Sequence, residues 1–503
     1  MAPSGPCLGH LAGNPPRRRI LSPLAAAVVA TGLATMGPSP VWGGDWEITP
    51  RLRVAETFVD NVELESDGGE TDYITEINPG LGIAGEGRRA QLDLQYGMQS
   101  LVFARDSDRN TINHQLGADG SLELVRRTLF LEADAQRRQQ ILDSQAGGSS
   151  NNRVIPANRA DVTTFGGGPR LQYALGSFAR ARARYRAERV LYGNRFNDRT
   201  QQTVSASLAS GARFDPVGWS LAYNRQEETV GQTTAATSRD QVLERVTGEL
   251  NWRVGAKLQV FASGGYEDNQ FRRARQGDPV DGSFWNAGLR WQPTRQTSLE
   301  ASYGERFFGE TWSATFRRQE GPHLDWDLSY SESLVTQTDL QVQRSQALVR
   351  GPGGNIILDP GGDPLTVTVP VATVVNEVSL QKRARGSVTA HTAKTRLTLS
   401  GFSEQRTFQI RDRTEDSYGG GLNLGWQAAT RTNVSAGGRW QRRDFTGTSG
   451  EETRWSARAS ATRRVSSTLE LSARYRHENR QSDGGAGRDY TLNEVTLALD
   501  KTF

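Results

Sequence analysis

From Trp46 onward, apolar and polar residues alternate one by one over roughly ten to sixteen positions, a turn follows, and the pattern begins again. In 89–99, Leu92, Leu94, Tyr96 and Met98 fall on one side and Gln91, Asp93, Gln95 and Gln99 on the other. In 241–254, Val242, Val246, Leu250, Trp252 and Val254 oppose Arg245, Thr247, Glu249, Asn251 and Arg253. In 324–331, Leu324, Trp326, Leu328 and Tyr330 oppose Asp325, Asp327, Ser329 and Ser331. A period of two is that of a strand, and helical spacing is not sustained anywhere after the first 43 residues.

Connection lengths alternate as well. Very short turns fall at 85–88, 126–127, 176–177, 215–218, 255–256, 293–296, 321–323, 392–394, 429–431 and 465–467. Longer polar stretches separate them: 63–71, 105–111, 142–159, 193–200, 230–238, 272–281, 342–372, 411–415, 447–452 and 481–487. The bend at Phe308, Gly309 and Glu310 is short where a long loop is due. Strict short–long alternation matches the periplasmic turns and extracellular loops of an outer-membrane barrel, whereas a soluble sandwich has no reason to sort its loops by parity. The expectation is an all-β, antiparallel up-and-down transmembrane β-barrel of about 22 strands, with 18 to 24 as the range. A soluble β-solenoid or adhesin would need a cover for the apolar face, and no helices are available to provide one. Trp219, Trp252, Trp291, Trp326, Trp440 and Trp455 sit near segment ends, as interface girdles do.

The first 43 residues read as a signal peptide: Arg17, Arg18 and Arg19, then the apolar run 20–35, then small residues around Val41 and Gly43. Residues 44–503 are then the barrel. Its first strand begins within a few residues of the cleavage site, leaving no plug domain ahead of it, which argues against a TonB-type siderophore receptor. The absence of a passenger domain argues against an autotransporter. The strand at 490–503 ends on Phe503, with Leu497 and Leu499 on the same face, and resembles the signal read by the barrel-assembly machinery. Lys501 shares that outward face, a position from which it can snorkel to the periplasmic rim.

Composition alters this picture little. Hydrophobic content is 36%, compatible with strands that show lipid only at every second residue. Without the signal's three arginines the charge is 57 basic against 56 acidic groups, and nothing points to nucleic acid. The only cysteine is Cys7, so the mature chain has no thiol chemistry. Four of the 60 basic residues are lysine; the rest are arginine, whose planar fork matches carboxylates and phosphates.

Arginines facing hydrocarbon at mid-membrane cost about 2–4 kcal/mol each, so arginine rows must face the lumen. That orients Arg180, Arg182, Arg184, Arg186 and Glu188, then Arg439 and Arg443, Arg454 and Arg458, and Arg474, Arg476 and Glu478. Glu470 and Arg480 fall on the same face as this last set. Two meanings stand open: a water-filled passage that binds or filters anionic material such as uronic-acid polysaccharide or phosphate, or acids and bases pairing across strands to stiffen the interior. No catalytic cluster is evident: His114, His323, His391 and His477 lack a Ser or Asp partner at matched depth, and no enzyme is expected. Neither a cofactor nor a metal is expected; the acidic loop 63–72 lacks the spacing of a calcium loop.

The opening strand 48–62, the segment Gly304-Glu305-Arg306-Phe307-Phe308-Gly309, residues 325–332 and the terminal Phe503 resemble the PEP-CTERM (exosortase) system-associated outer-membrane proteins, related to the putative β-barrel porins. The resemblance runs along most of the mature chain. It implies a barrel in the cell outer membrane of a Gram-negative bacterium, from a locus for exopolysaccharide synthesis and export. The implied partners are outer-membrane lipid, the assembly machinery, anionic exopolysaccharide and other proteins of that locus. It supplies no catalytic or binding residues. The functional reading is a porin-like component of polysaccharide export, with a salt-bridged structural barrel or a general nutrient or anion porin as alternatives. The loop 342–372, with its glycine–proline repeats, would constrict the pore if folded inward and meet a partner if projecting.

Overall fold

The computed structural model describes residues 44–66, 69–141, 149, 152–154, 159–193, 197–231, 241–271, 280–336, 338–339, 378–409, 413–446, 450–483 and 489–503. The expected signal at 1–43 and the loop 342–372 lie outside the described residues. Twenty-two strands form one antiparallel sheet. In order they are β1 (Gly44–Val59), β2 (Asp72–Gly87), β3 (Ala90–Phe103), β4 (Thr111–Val125), β5 (Leu129–Ile141), β6 (Arg159–Leu175), β7 (Ala179–Leu191) and β8 (Arg199–Ser210). Then come β9 (Val217–Val230), β10 (Gln241–Arg253), β11 (Leu258–Gln270), β12 (Gly282–Thr294), β13 (Thr297–Arg306), β14 (Gly309–Glu320) and β15 (Leu324–Val335). The last seven are β16 (Ser379–His391), β17 (Thr395–Phe408), β18 (Arg413–Ala429), β19 (Thr432–Thr446), β20 (Gly450–Arg464), β21 (Leu469–Asp483) and β22 (Tyr490–Thr502). Each strand pairs with the next, and β22 returns to β1, with Glu494 opposite Val59 and Thr502 opposite Arg51. The sheet is therefore a closed up-and-down barrel, and all ten predicted short turns fall at one of its ends.

The faces follow from alternation. In β1, Trp46, Ile48, Val54 and Phe58 stand beside Gly85, Ile83, Ile77 and Tyr73 of β2. The same parity, carried strand to strand, places Leu250, Leu399 and Leu497 on the outer wall, 64%, 58% and 61% exposed. An apolar belt of this extent belongs in a bilayer. Trp46, Trp219, Trp252, Trp291, Trp326 and Trp426 lie near the short-turn end, where ring edges meet headgroups. Trp440 and Trp455 oppose each other across β19 and β20, nearer the long-loop end. Among the described residues no helix is long and apolar enough to cross a membrane; a barrel crosses with strands, whose backbone groups pair around the ring. Lys501 reaches the short-turn rim, where its Nζ donates to Thr468 Oγ1 at 2.7 Å. Phe503 is 60% exposed, and its N–H donates to Pro50 O at 3.0 Å beside the closing seam.

The packed core lies inside the barrel, at the long-loop end. Val59, Ile74, Leu101, Phe103, Tyr490 and Leu492 cluster there with Val154, which comes from the connection between β5 and β6. Other groups of that connection also enter the lumen. Ser149 Oγ donates to Glu478 Oε2 at 2.9 Å and Arg153 Nε to Glu76 Oε2 at 2.9 Å.

Two ladders stop early at the long-loop end. β13 and β14 are joined by Phe307 and Phe308 alone and pair fully, Arg306 opposite Gly309. Gly309 has φ +111°, a region that an L side chain rarely adopts and that lets the chain reverse in so few residues. β14 then pairs with β15 only from Ala314 opposite Tyr330 down to Glu320 opposite Leu324. Residues 309–313 and 331–335 have no ladder between them. β4 and β5 also part near this end, above Leu116 opposite Arg137, yet there Gln139 Nε2 still reaches Asn113 Oδ1 at 2.5 Å.

Candidate functional site

The lumen has two tiers. Toward the long-loop end its charged groups are packed away from solvent: Glu76, Arg199, Glu228, Glu267, Glu404, Arg480 and others are under a tenth exposed. Burial of a lone charge is prohibitive, so these groups come in pairs. Arg199 Nη1 meets Glu228 Oε1 at 2.9 Å, with both side chains almost fully buried. Glu267 takes Arg306 through two bonds, Nε at 2.9 Å and Nη2 at 3.0 Å, and Arg245 through a third contact at 2.6 Å. Glu404 sits between Arg383 and Arg406, and Glu452 between Arg454 and Arg480. Toward the short-turn end the inward face is open: Asp45, Glu47, Arg51, Arg180, Arg182 and Arg458 are exposed.

All the lumen candidates share the inward face. On β7, Arg180, Arg182, Arg184, Arg186 and Glu188 climb from the open tier to the packed one. Arg184 Nη2 contacts Glu132 Oε2 at 2.7 Å, which also holds Arg170 at 2.6 Å. Arg186 engages Asp134 and, at 2.8 Å, Glu188. Arg180 and Arg182 make no ion pair among the described residues. The counter-charges Glu132 and Asp134 on β5 were legible as the polar side of Phe130, Glu132, Asp134 and Gln136, but sequence reasoning did not single them out.

The second group lies on β19 to β21. Arg458 stands directly opposite Arg476, and Arg454 opposite Arg480. Arg439 lies one step away, opposite Ser456. Arg454 is 3.8 Å from Glu478, Arg476 is 3.7 Å from Glu494, and Arg458 Nη2 donates to Asn423 Oδ1 at 3.0 Å. Arg443 is buried beside Phe445, its guanidinium 5.8 Å from the ring centroid, and Arg474 is buried on β21. This wall carries more guanidinium than carboxylate, so it attracts anions.

One expectation changes. His391 does have an acidic partner: its Nε2 lies 2.8 Å from Asp325 Oδ2, a pairing formed across β15 and β16 that linear spacing does not reveal. The acidic stretch 63–72 is gathered by an arginine, with Arg109 contacting Glu63, and Glu70 at 3.6 Å. His477 stands on the outer face, with Nδ1 2.8 Å from Asn493 Oδ1. Among the described residues no group of three His, Cys, Asp or Glu could hold a metal ion.

Just past β15 the chain turns inward. Thr338 N–H donates to Glu228 Oε2 at 3.1 Å, and Gln226 Nε2 donates to Asp339 Oδ2 at 3.0 Å. Thr336 Oγ1 donates to Gln201 Oε1 at 3.2 Å. Burial pushes the Asp339 carboxyl above its usual range and the Glu228 charge adds to this, while the bonds from Gln226 and Thr336 oppose it. An acid whose folded value is raised binds its proton more readily folded than unfolded. The barrel should therefore gain stability here as pH falls from neutral through that raised value toward the ordinary one. Asp339→Asn is expected to remove this gain. Gel-shift melting temperatures at neutral pH and at about pH 5 would check it.

The model of a family described as "Putative beta-barrel porin 2" matches residues 36–311. No curated protein matches the chain. Among solved structures, a ferric enterobactin receptor from Pseudomonas aeruginosa is similar at TM-score 0.51 and 12% identity, over 92% of this chain and 82% of the receptor. The FrpB iron transporter from Neisseria meningitidis is similar at TM-score 0.50 and 10% identity, over 91% and 82%. At such identities the likeness is one of fold alone.

Proposed function

Starting from a chain that belongs to the "Putative beta-barrel porin 2" family, we propose that it is a porin-like outer-membrane passage for anionic polysaccharide, working in an exopolysaccharide-export system of the PEP-CTERM type. The observation that carries the reading is the row Arg180, Arg182, Arg184 and Arg186, which leads from an open vestibule to a packed tier on the same wall. Its two lower guanidiniums have no counter-charge among the described residues, and the arginine-rich wall of β19 to β21 adds to the field.

In this reading residues 1–43 are the export signal and the last strand, ending at Phe503, addresses the barrel-assembly machinery. Transport rather than catalysis is the activity, and no separate plug domain closes the pore. What supports the last point is that this chain's own side chains, with groups from the connection between β5 and β6, occupy the outer tier.

The test is single-channel conductance of refolded protein in a planar bilayer, with and without polygalacturonate. Anion-selective conductance blocked by the polymer is expected, and Arg180→Glu with Arg182→Glu should reverse the selectivity. Conductance of small anions without block would reduce the protein to a general anion porin. No conductance, from protein shown to be folded by its heat-modifiable gel shift, would leave the structural reading. The dense ion pairing of the outer tier favours that second reading: a barrel closed by its own salt bridges.

A further inference from the structure

The upper part of β15 does not stand in the wall. Strand alternation puts Glu332 on the outer face with Leu328 and Tyr330, yet its side chain is 3% exposed. Its carboxylate accepts from Tyr330 Oη and lies 4.0 Å from Lys382 Nζ, partners carried on the same strand pair. Thr336, one residue beyond β15, bonds Gln201 and Gln226 on β8 and β9, seven and six strands away. The segment 331–335 has therefore parted from β14 and leans into the lumen together with 379–383 of β16, which stays paired with 404–408 of β17 as a hinge.

The gap it leaves is shaped to take it back. Continuing the β14–β15 register past Ala314 and Tyr330 sets Ser313 against Ser331, Trp312 against Glu332, Thr311 against Ser333, Glu310 against Leu334 and Gly309 against Val335. The two unpaired stretches are equal in length, and both strands end at the same level. Unpaired strand edges at membrane depth are unfavourable, so a stretch with a matching partner edge is drawn toward it.

We infer that residues 331–335 and 379–383 form a gate with two positions: folded in, latched on β8 and β9, it closes the lumen; zipped onto residues 309–313, it opens it. This rests on the passage reading above and adds its regulation. Neither position strands a charge. Lys382 lies directly opposite Glu332, 4.0 Å away, and travels with it, while Arg306 keeps both its bonds to Glu267. On zipping, Leu334 and Leu380, which pair with each other, would turn to the lipid side. The inward position is held by Thr338 N–H on Glu228 and by Gln201 and Gln226 on Thr336 and Asp339. Two discrete, separately satisfied arrangements are what a switch requires.

The test uses the full chain with Cys7→Ser and the pair Thr311→Cys, Ser333→Cys. Residues opposite each other in a formed antiparallel ladder have Cβ atoms about 4.5–5.5 Å apart, so a disulfide reports the zipped position. Thr315→Cys with Ser329→Cys, already paired, is the control. Mild oxidation is expected to join 311 to 333 and to raise conductance several-fold, with reductant restoring it. Gln201→Ala with Gln226→Ala should shift the balance outward roughly tenfold, read as faster joining. If the control joins and 311–333 does not, in either background, the gate is overturned, whatever the basal conductance. If 311–333 joins and conductance is unchanged, the wall moves but the passage reading falls.

Discussion

Replacing Glu267 by alanine is expected to destabilise the barrel by about 3–5 kcal/mol, the usual loss when one partner of a buried ion pair is removed. Glu267 is 1% exposed and receives both prongs of Arg306 and one contact from Arg245. Without it the guanidiniums of Arg306, largely buried, and Arg245, 40% exposed, lose the carboxylate they share. Bidentate arginine–carboxylate geometry is among the stronger polar contacts a protein makes, which puts this site at the upper end of the range. The heat-modifiable gel shift, followed against urea in detergent micelles, would register the loss. Glu267→Gln should lose less, since the amide oxygen still accepts a bond. A loss under about 1 kcal/mol, the value typical of exposed pairs, would show that water reaches the tier.

The second large effect belongs to the outer wall. Leu422 lies near the middle of β18, 47% exposed, beside Leu399 and Gly438 on the lipid face. Leu422→Arg should lower folding stability in lipid vesicles by about 2–4 kcal/mol, the penalty for arginine near the bilayer midplane. Asn423→Arg, one residue along and turned to the lumen, should cost less, about 1 kcal/mol for the lost bond from Arg458. Equal losses at the two positions would contradict the assignment of faces.

Much of this was legible because a barrel strand writes its environment in a period of two. Leu250 and Trp252 against Glu249 and Asn251 told outside from inside with no knowledge of neighbours. The turn positions followed from Gly176, Pro293 or Gly321, residues that reverse a chain for local reasons. Lys501 was legible too, since a lysine one turn from the rim has water within reach.

Partnership was not legible. Arg306 and Glu267 are separated by two strands and 39 residues, and His391 finds Asp325 across a hairpin of 66. Such distances close only when register is fixed, and register is a property of pairs of strands. The short Phe308 bend stood out in the sequence as an irregularity of loop length. Its effect, the early end of the β14–β15 ladder, depends on where β15 goes afterwards. That is decided by Gln201, Gln226 and Glu228, more than a hundred residues upstream.

A closed ring of hydrogen-bonded strands behaves like a hoop: a squeeze applied anywhere is shared around the circumference. Near the short turns this hoop is complete. At the outer rim it is cut between Gly309–Ser313 and Ser331–Val335, so load cannot pass through the cut and must be borne by the side chains that hold β15 against β8 and β9. The barrel is thus stiff at its short-turn end and compliant at its long-loop end. Lateral pressure or tension at that end acts where the wall can yield.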